Sequence, residues 1–268
     1  MIVVILLVFL LGLSIGSFLN VIVYRVLHGV SFAKGRSKCP HCKKKISWYD
    51  NLPLVSFLLL KGKCRHCHKK ISWHYPVLEL LTGVLFVWWY GVGQFFFQLS
   101  QEPFQLVQPI FWLVVGLLFL ALAVADAFYG VLPDKFIVPL SLLAVAYRIA
   151  LVSFGIMQLA DFWKAITVGV ATSGFLMSLV LITKGKGMGL GDVKLALPLG
   201  IILGWPRALV GLIVAFLTGA IAGVILILGR GRGLKDSIAF GPFMIAGAVI
   251  ALLWGEQIWQ KYMTILGI

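Results

Sequence analysis

Four cysteines, all between residues 39 and 67, stand in two copies of one motif. Cys39-Pro-His-Cys42-Lys-Lys-Lys-Ile-Ser-Trp48 recurs as Cys64-Arg-His-Cys67-His-Lys-Lys-Ile-Ser-Trp73. A CxxC turn chelates through two thiolates, and two such turns face to face complete the tetrahedral shell that zinc prefers. The interval from Cys42 to Cys64 lies just outside the usual four-cysteine spacing. Disulfides or free thiols are the alternatives, and a reducing cytoplasm disfavours the former. With four sulfurs in the shell, His41, His66 and His68 read as surface residues. A segment of this size is too small and polar to build a core unaided, so a metal staple has a physical reason.

The second chemical signal is a pair of aspartates. Asp126 stands at the end of an apolar run, and Asp192 follows Gly189-Leu-Gly191 at the entry to another. The chain has only nine acidic residues, and an ionisable group at membrane depth is costly. Two carboxylates at one depth suggest a dyad sharing a proton, one ionised to activate water and one protonated, which is the equipment of an aspartic protease. The plainer readings are a helix end or proton relay for Asp126 and an N-cap for Asp192. Gly185, Gly187, Gly189 and Gly191 alternate before Asp192 and permit close backbone approach. A nucleotide-binding reading of these glycines fails, since no βαβ unit surrounds them. The Gly229-Arg-Gly-Arg-Gly233 stretch reads as a flexible basic loop.

The elements that must position these residues are membrane spans. Hydrophobic residues make up 61% of the 268 and charged residues only 12%, against the roughly 25% charged of a soluble domain. Mean hydropathy is +1.03, which excludes a soluble globular protein. Apolar runs near the 20 or so residues a spanning helix needs occur at 2–24, 76–97, 109–125, 136–154, 164–183, 193–204, 208–229 and 238–258. The run at 193–204 is short and holds Pro198, so a broken or re-entrant segment is the alternative there. The first run exceeds a signal-peptide core and lacks a cleavage pattern, so it too reads as a span. The expected fold is an all-α polytopic membrane protein of about eight transmembrane helices: a first helix at 1–24, a tetracysteine loop domain at 25–75 and a seven-helix membrane domain at 76–268.

Of 23 Lys and Arg, 19 fall in loops that eight spans would place on one side. The positive-inside rule makes that side cytoplasmic and puts the zinc loop and both aspartates there. The net charge of +14 is then explained by topology and anionic lipid rather than nucleic acid. Trp48 and Trp73 suit the headgroup level.

With these residues in view, the chain resembles the type IV prepilin peptidases, bifunctional leader peptidases and N-methyltransferases of pilus and type II secretion systems in the bacterial inner membrane. Gly16-Ser-Phe-Leu-Asn20-Val-Ile-Val-Tyr24-Arg25 resembles the family's first segment. The tetracysteine loop, with Asp50-Asn51-Leu-Pro53 and Tyr75-Pro76-Val-Leu-Glu79, is similar to its cytoplasmic domain. Asp126 with Leu132-Pro133-Asp134 resembles the first catalytic motif, and Gly189-Leu-Gly191-Asp192-Val-Lys194 the GxGD motif. Phe240-Gly241-Pro242-Phe243 resembles a segment before the last span, while Phe128 stands where many relatives carry a second acid.

The resemblance implies cleavage of a prepilin or pseudopilin after a glycine at the cytoplasmic membrane boundary, behind a basic leader. It implies methylation of the new N-terminus by S-adenosylmethionine, for which Asp50 and Glu79 are the candidates. Asp50 as a turn cap and Glu79 as the partner of a loop lysine are the plainer readings. Lys194 is expected either to lower the pKa of Asp192 or to anchor at the lipid surface, and Asp134 to cap the helix after Pro133. Two other classes compete. A proton-coupled transporter predicts a repeat between halves, yet the repeat present is confined to the zinc loop. A scaffold without catalysis predicts that neither aspartate matters for processing.

Overall fold

A computed structural model describes residues 2–31, 37–93, 104–230 and 238–267. Lys34, Arg36, Arg232, Gly233, Lys235, the end of the second apolar run at 94–97 and most of the connection that follows it lie outside these. Among the described residues the α-helices are α1 (Ile2–Leu27), α2 (Val55–Leu59), α3 (His74–Trp88), α4 (Phe104–Tyr129), α5 (Asp134–Ser153), α6 (Leu159–Ile182), α7 (Leu190–Leu203), α8 (Arg207–Arg230) and α9 (Gly241–Ile265). Without water to satisfy the backbone, an apolar run at membrane depth closes its hydrogen bonds within itself, and a helix is the way to do so.

Seven of the described helices are long and apolar enough to cross a membrane. The run at 193–204 forms α7, which has 14 residues and is therefore about 21 Å long at 1.5 Å per residue. That is short of a bilayer core of about 30 Å. Nearly every α7 residue from Asp192 onward is buried by protein, so protein rather than lipid surrounds this short helix.

The chain divides into two compact units, Met1–Val124 and Ala125–Ile268. In the first, α1 packs on α3 through small residues. A Cβ on Gly12 would lie 2.8 Å from the Gly83 Cα, and one on Gly16 would lie 2.8 Å from the Glu79 Cα. Spaced four apart on one face, these glycines let two backbones touch where dispersion, not hydrophobic exclusion, holds helices together. Asn20, 3% exposed, donates from Nδ2 to the Tyr75 carbonyl at 3.0 Å.

The second unit uses the same device twice. A Cβ on Gly200 of α7 would strike Thr172 Oγ1 and come within 2.7 Å of the Gly169 Cα on α6. A Cβ on Gly247 of α9 would strike the Gly211 carbonyl on α8. Ser173 Oγ of α6 also donates to the Val193 carbonyl of α7 at 2.9 Å. At the far end of α7, Arg148 of α5 donates from Nε to the Ile201 carbonyl at 3.1 Å and from Nη2 to that of Ile202 at 3.0 Å. It takes up two carbonyls that a helix end leaves without partners.

Candidate functional site

The tetracysteine module, in the first unit, repeats in space as it does in sequence. The Cys39 N–H donates to the Lys44 carbonyl and the Lys43 N–H to the Cys39 carbonyl; in the second copy Cys64, Lys69 and His68 make the same pair of bonds. Lys43 and His68, equivalent positions, both take a left-handed turn at φ 58° and 55°. The four Sγ atoms lie within 4.8 Å of one another, and Cys39 and Cys67 are 3.9 Å apart. Sulfurs 2.3 Å from a tetrahedral zinc are separated by about 3.8 Å, so the cluster has the size a metal requires. Backbone N–H groups of Cys67 and His66 draw the Cys64 thiol down to about 7. At Cys67 the Lys69 N–H acts the same way, but desolvation and the neighbouring sulfurs prevail and raise it to about 11. All four cysteines are free of disulfides, and the three histidines are exposed and outside the cluster.

Asp50 and Glu79 are held nearby in the chain by different partners. Both Asp50 oxygens accept from Arg65, at 2.7 to 3.1 Å, and the guanidinium lies over the Tyr49 ring. Glu79 is 8% exposed, and its Oε2 accepts from the Leu54 N–H at 2.8 Å. That corrects the expectation of a lysine partner for Glu79. Leu54 has φ 57°, a conformation costly for a branched side chain, and the buried carboxylate pins it.

The aspartate pair belongs to the second unit. Asp126 sits in the last turn of α4, and Asp192 is the third residue of α7. Both are 7% exposed and both line a cleft of about 1010 Å³, at the upper end of the roughly 300–1,000 Å³ of small-molecule sites. Each is held by a glycine N–H. Gly189 N–H donates to Asp192 Oδ2 at 3.2 Å. Gly241 N–H, at the start of α9, donates to Asp126 Oδ2 at 2.8 Å. Gly191 supplies close approach: a Cβ there would lie 3.1 Å from the Leu132 Cβ, so the entry to α7 packs directly against the loop that follows Asp126.

Three expectations are corrected here. Asp134 does not cap α5. Pro133 holds the cap position without a side-chain bond, and its carbonyl takes the Phe136 and Ile137 N–H groups. Both Asp134 oxygens instead accept from Lys194 Nζ, at 2.9 Å each. Lys194 is thus the partner of Asp134, not of Asp192, and ties the first turn of α5 to the second turn of α7 at the rim of the cleft. Asp192 is not the N-cap of α7 either; Gly189 is.

Sequence reasoning assigned no role to Gly241 or Arg148. A Gly-Pro at the head of the last span was the signal for the first. For the second it was an arginine outside the four basic loops, since a charge at membrane depth needs a reason.

The chain matches two family models: the Bacterial Peptidase A24 N-terminal domain over residues 10–92 and the Type IV leader peptidase family over residues 112–224. It is similar to the prepilin leader peptidase/N-methyltransferase of Aeromonas hydrophila, with 34% identity over 96% of this chain and 93% of that one. The protein of the same name from Pseudomonas aeruginosa is 31% identical over 96% and 93%. That of Myxococcus xanthus is 35% identical over 84% of this chain and 63% of its own. No solved structure matches.

Proposed function

This chain belongs to the type IV leader peptidase family, and from that premise we propose that it is a prepilin leader peptidase and N-methyltransferase working from Asp126 and Asp192. The observation that carries the reading is that these two carboxylates, on different helices far apart in the chain, line a single cleft. One carboxylate, ionised, takes a proton from water as its oxygen attacks the scissile carbonyl carbon. The other, protonated, hydrogen-bonds the carbonyl oxygen as it gains charge. The tetrahedral intermediate then collapses with cleavage of the C–N bond: the carboxyl that took the proton from water gives it to the leaving amide nitrogen, and the other carboxyl keeps its own proton as the carbonyl re-forms. The glycine N–H on each Oδ2 fixes the carboxylates before substrate arrives, so little reorganisation is left for the reaction.

The substrate is a prepilin or pseudopilin with a basic leader, cut after a glycine where the leader meets the membrane. The protein is a multi-pass protein of the bacterial inner membrane, with the tetracysteine module and the aspartates on the cytoplasmic side; the 19 of 23 basic residues in the corresponding loops support this. Cys39, Cys42, Cys64 and Cys67 hold one structural zinc, supported by the all-sulfur donor set and its spacing. The basic loop meets anionic lipid, supported by the exposure of Trp48 and Trp73. Methyl transfer from S-adenosylmethionine is placed on the first unit, with Glu79 and Asp50 as its carboxylates.

The test is incubation with a membrane-embedded prepilin and mass spectrometry of the product's N-terminus. Asp126→Asn and Asp192→Asn should each abolish cleavage, and the double variant should be no worse than either single one. Substantial cleavage by either single variant refutes the dyad. The same product mass reports whether a methyl group was added.

A further inference from the structure

The first turn of α9 makes an unusual set of bonds. A helix leaves its first N–H groups without intrahelical partners. Here Pro242 has none to offer, and the Phe243 and Met244 N–H groups both reach the Phe240 carbonyl, at 3.0 and 3.1 Å. The remaining one, on Gly241, crosses to Asp126 Oδ2 at 2.8 Å, a bond spanning 115 residues of chain. At membrane depth an unpaired N–H is costly, so helix and carboxylate satisfy each other.

The absence of a side chain at 241 matters as much as the N–H. A Cβ built there would stand 2.7 Å from Asp126 Oδ2 and 3.2 Å from both its Cβ and Cγ. The first is closer than carbon and oxygen can approach. The backbone at 241 is not left-handed, so alanine suits the helix; what it does not suit is the carboxylate. Phe240 and Pro242, on either side, line the same cleft as Asp126 and Asp192, which places this helix start within the site.

We infer that Gly241 is a positioning residue for Asp126: its N–H orients the carboxylate and its missing side chain leaves the space the carboxylate occupies. The inference rests on the proposed role of Asp126 in cleavage. It gives the last helix of the chain a function in the reaction, where the motif pair at Asp126 and Asp192 leaves it as packing alone. A displaced carboxylate lowers turnover, and misplacement by about 1 Å costs on the order of 100-fold. Substrate affinity should not change, because Gly241 acts through Asp126 and not on the leader.

The experiment compares four proteins in cleavage of a membrane-embedded prepilin, with kcat, KM and thermal midpoint read on each. Gly241→Ala should lose about 100-fold in kcat at unchanged KM. Replacing residue 241 by glycolate through nonsense suppression turns its amide into an ester. That deletes the N–H without adding an atom, and it should lose tenfold or more in kcat while the thermal midpoint stays near that of the parent. Gly247→Ala, whose Cβ would meet the backbone of α8 and not Asp126, should lower the midpoint and spare the kcat of the folded fraction. Asp126→Asn should be inactive. Parent kcat in the ester variant overturns the inference even if Gly241→Ala fails to fold. A rise in KM with kcat unchanged overturns it too, as does an equal kcat loss in Gly247→Ala. Activity in Asp126→Asn overturns the proposed function instead, so the two failures are told apart.

Discussion

Arg148 offers a test of how the short inner helix is held. α7 carries Asp192 on its first turn and ends at Leu203, still buried. The Gly200 carbonyl receives the Gly204 N–H at 2.9 Å. The next two carbonyls, of Ile201 and Ile202, receive Arg148. Gly204 leaves the helix in the left-handed region, at φ 66°, beside the same guanidinium. Arg148→Ala removes both donors and leaves two carbonyls without protein partners. A hydrogen bond from a charged donor contributes roughly 1.5–3 kcal/mol. Two of them set the loss at about 3–6 kcal/mol, and the partial exposure of the arginine puts it near the lower end, about 3 kcal/mol. Arg148→Lys keeps the charge but offers a single nitrogen in place of a fork, and should recover no more than about half. The assay is equilibrium unfolding in detergent micelles, with prepilin cleavage measured on the folded fraction. Cleavage should fall with stability, because loosening one end of α7 moves the aspartate at the other. An Arg148→Ala protein as stable and as active as the parent would show that α7 does not depend on its carbonyl clamp.

Three further outcomes are expected. Elemental analysis should give about one zinc per chain, and Cys39→Ser should release it and loosen the loop while the membrane helices stay folded; intact disulfides and no metal would refute the site. Asp134→Asn breaks an exposed ion pair with Lys194, so stability should change by less than about 1 kcal/mol and cleavage should fall far less than in Asp126→Asn; abolished cleavage would make Asp134 part of the chemistry. Glu79→Ala leaves the Leu54 N–H unpaired, and transfer of labelled methyl to a pre-cleaved pilin should drop more than leader cleavage on the same preparation, whereas an equal drop would unseat Glu79 from methyl transfer.

Residue type and run length alone determined the all-helical architecture and most of its helices. The expected runs at 2–24, 136–154 and 208–229 lie within a few residues of Ile2–Leu27, Asp134–Ser153 and Arg207–Arg230, because in lipid a long apolar segment has one way to satisfy its backbone. The tetracysteine cluster was equally legible. Each CxxC turn is local, and the repeat makes both turns alike, so only their meeting was left to the fold. The two aspartates could be singled out because acids are scarce in this chain. What the tertiary structure alone decided are contacts between residues far apart in the chain. Lys194 reaches Asp134 across 60 residues, Arg148 reaches Ile201 across 53, and Gly241 reaches Asp126 across 115. Hydropathy says that a segment is buried in something; it does not say which helix lies beside which. Small residues at Gly200, Gly211 and Gly247 set those neighbours by backbone proximity, and a glycine in a sequence does not name the helix it will touch.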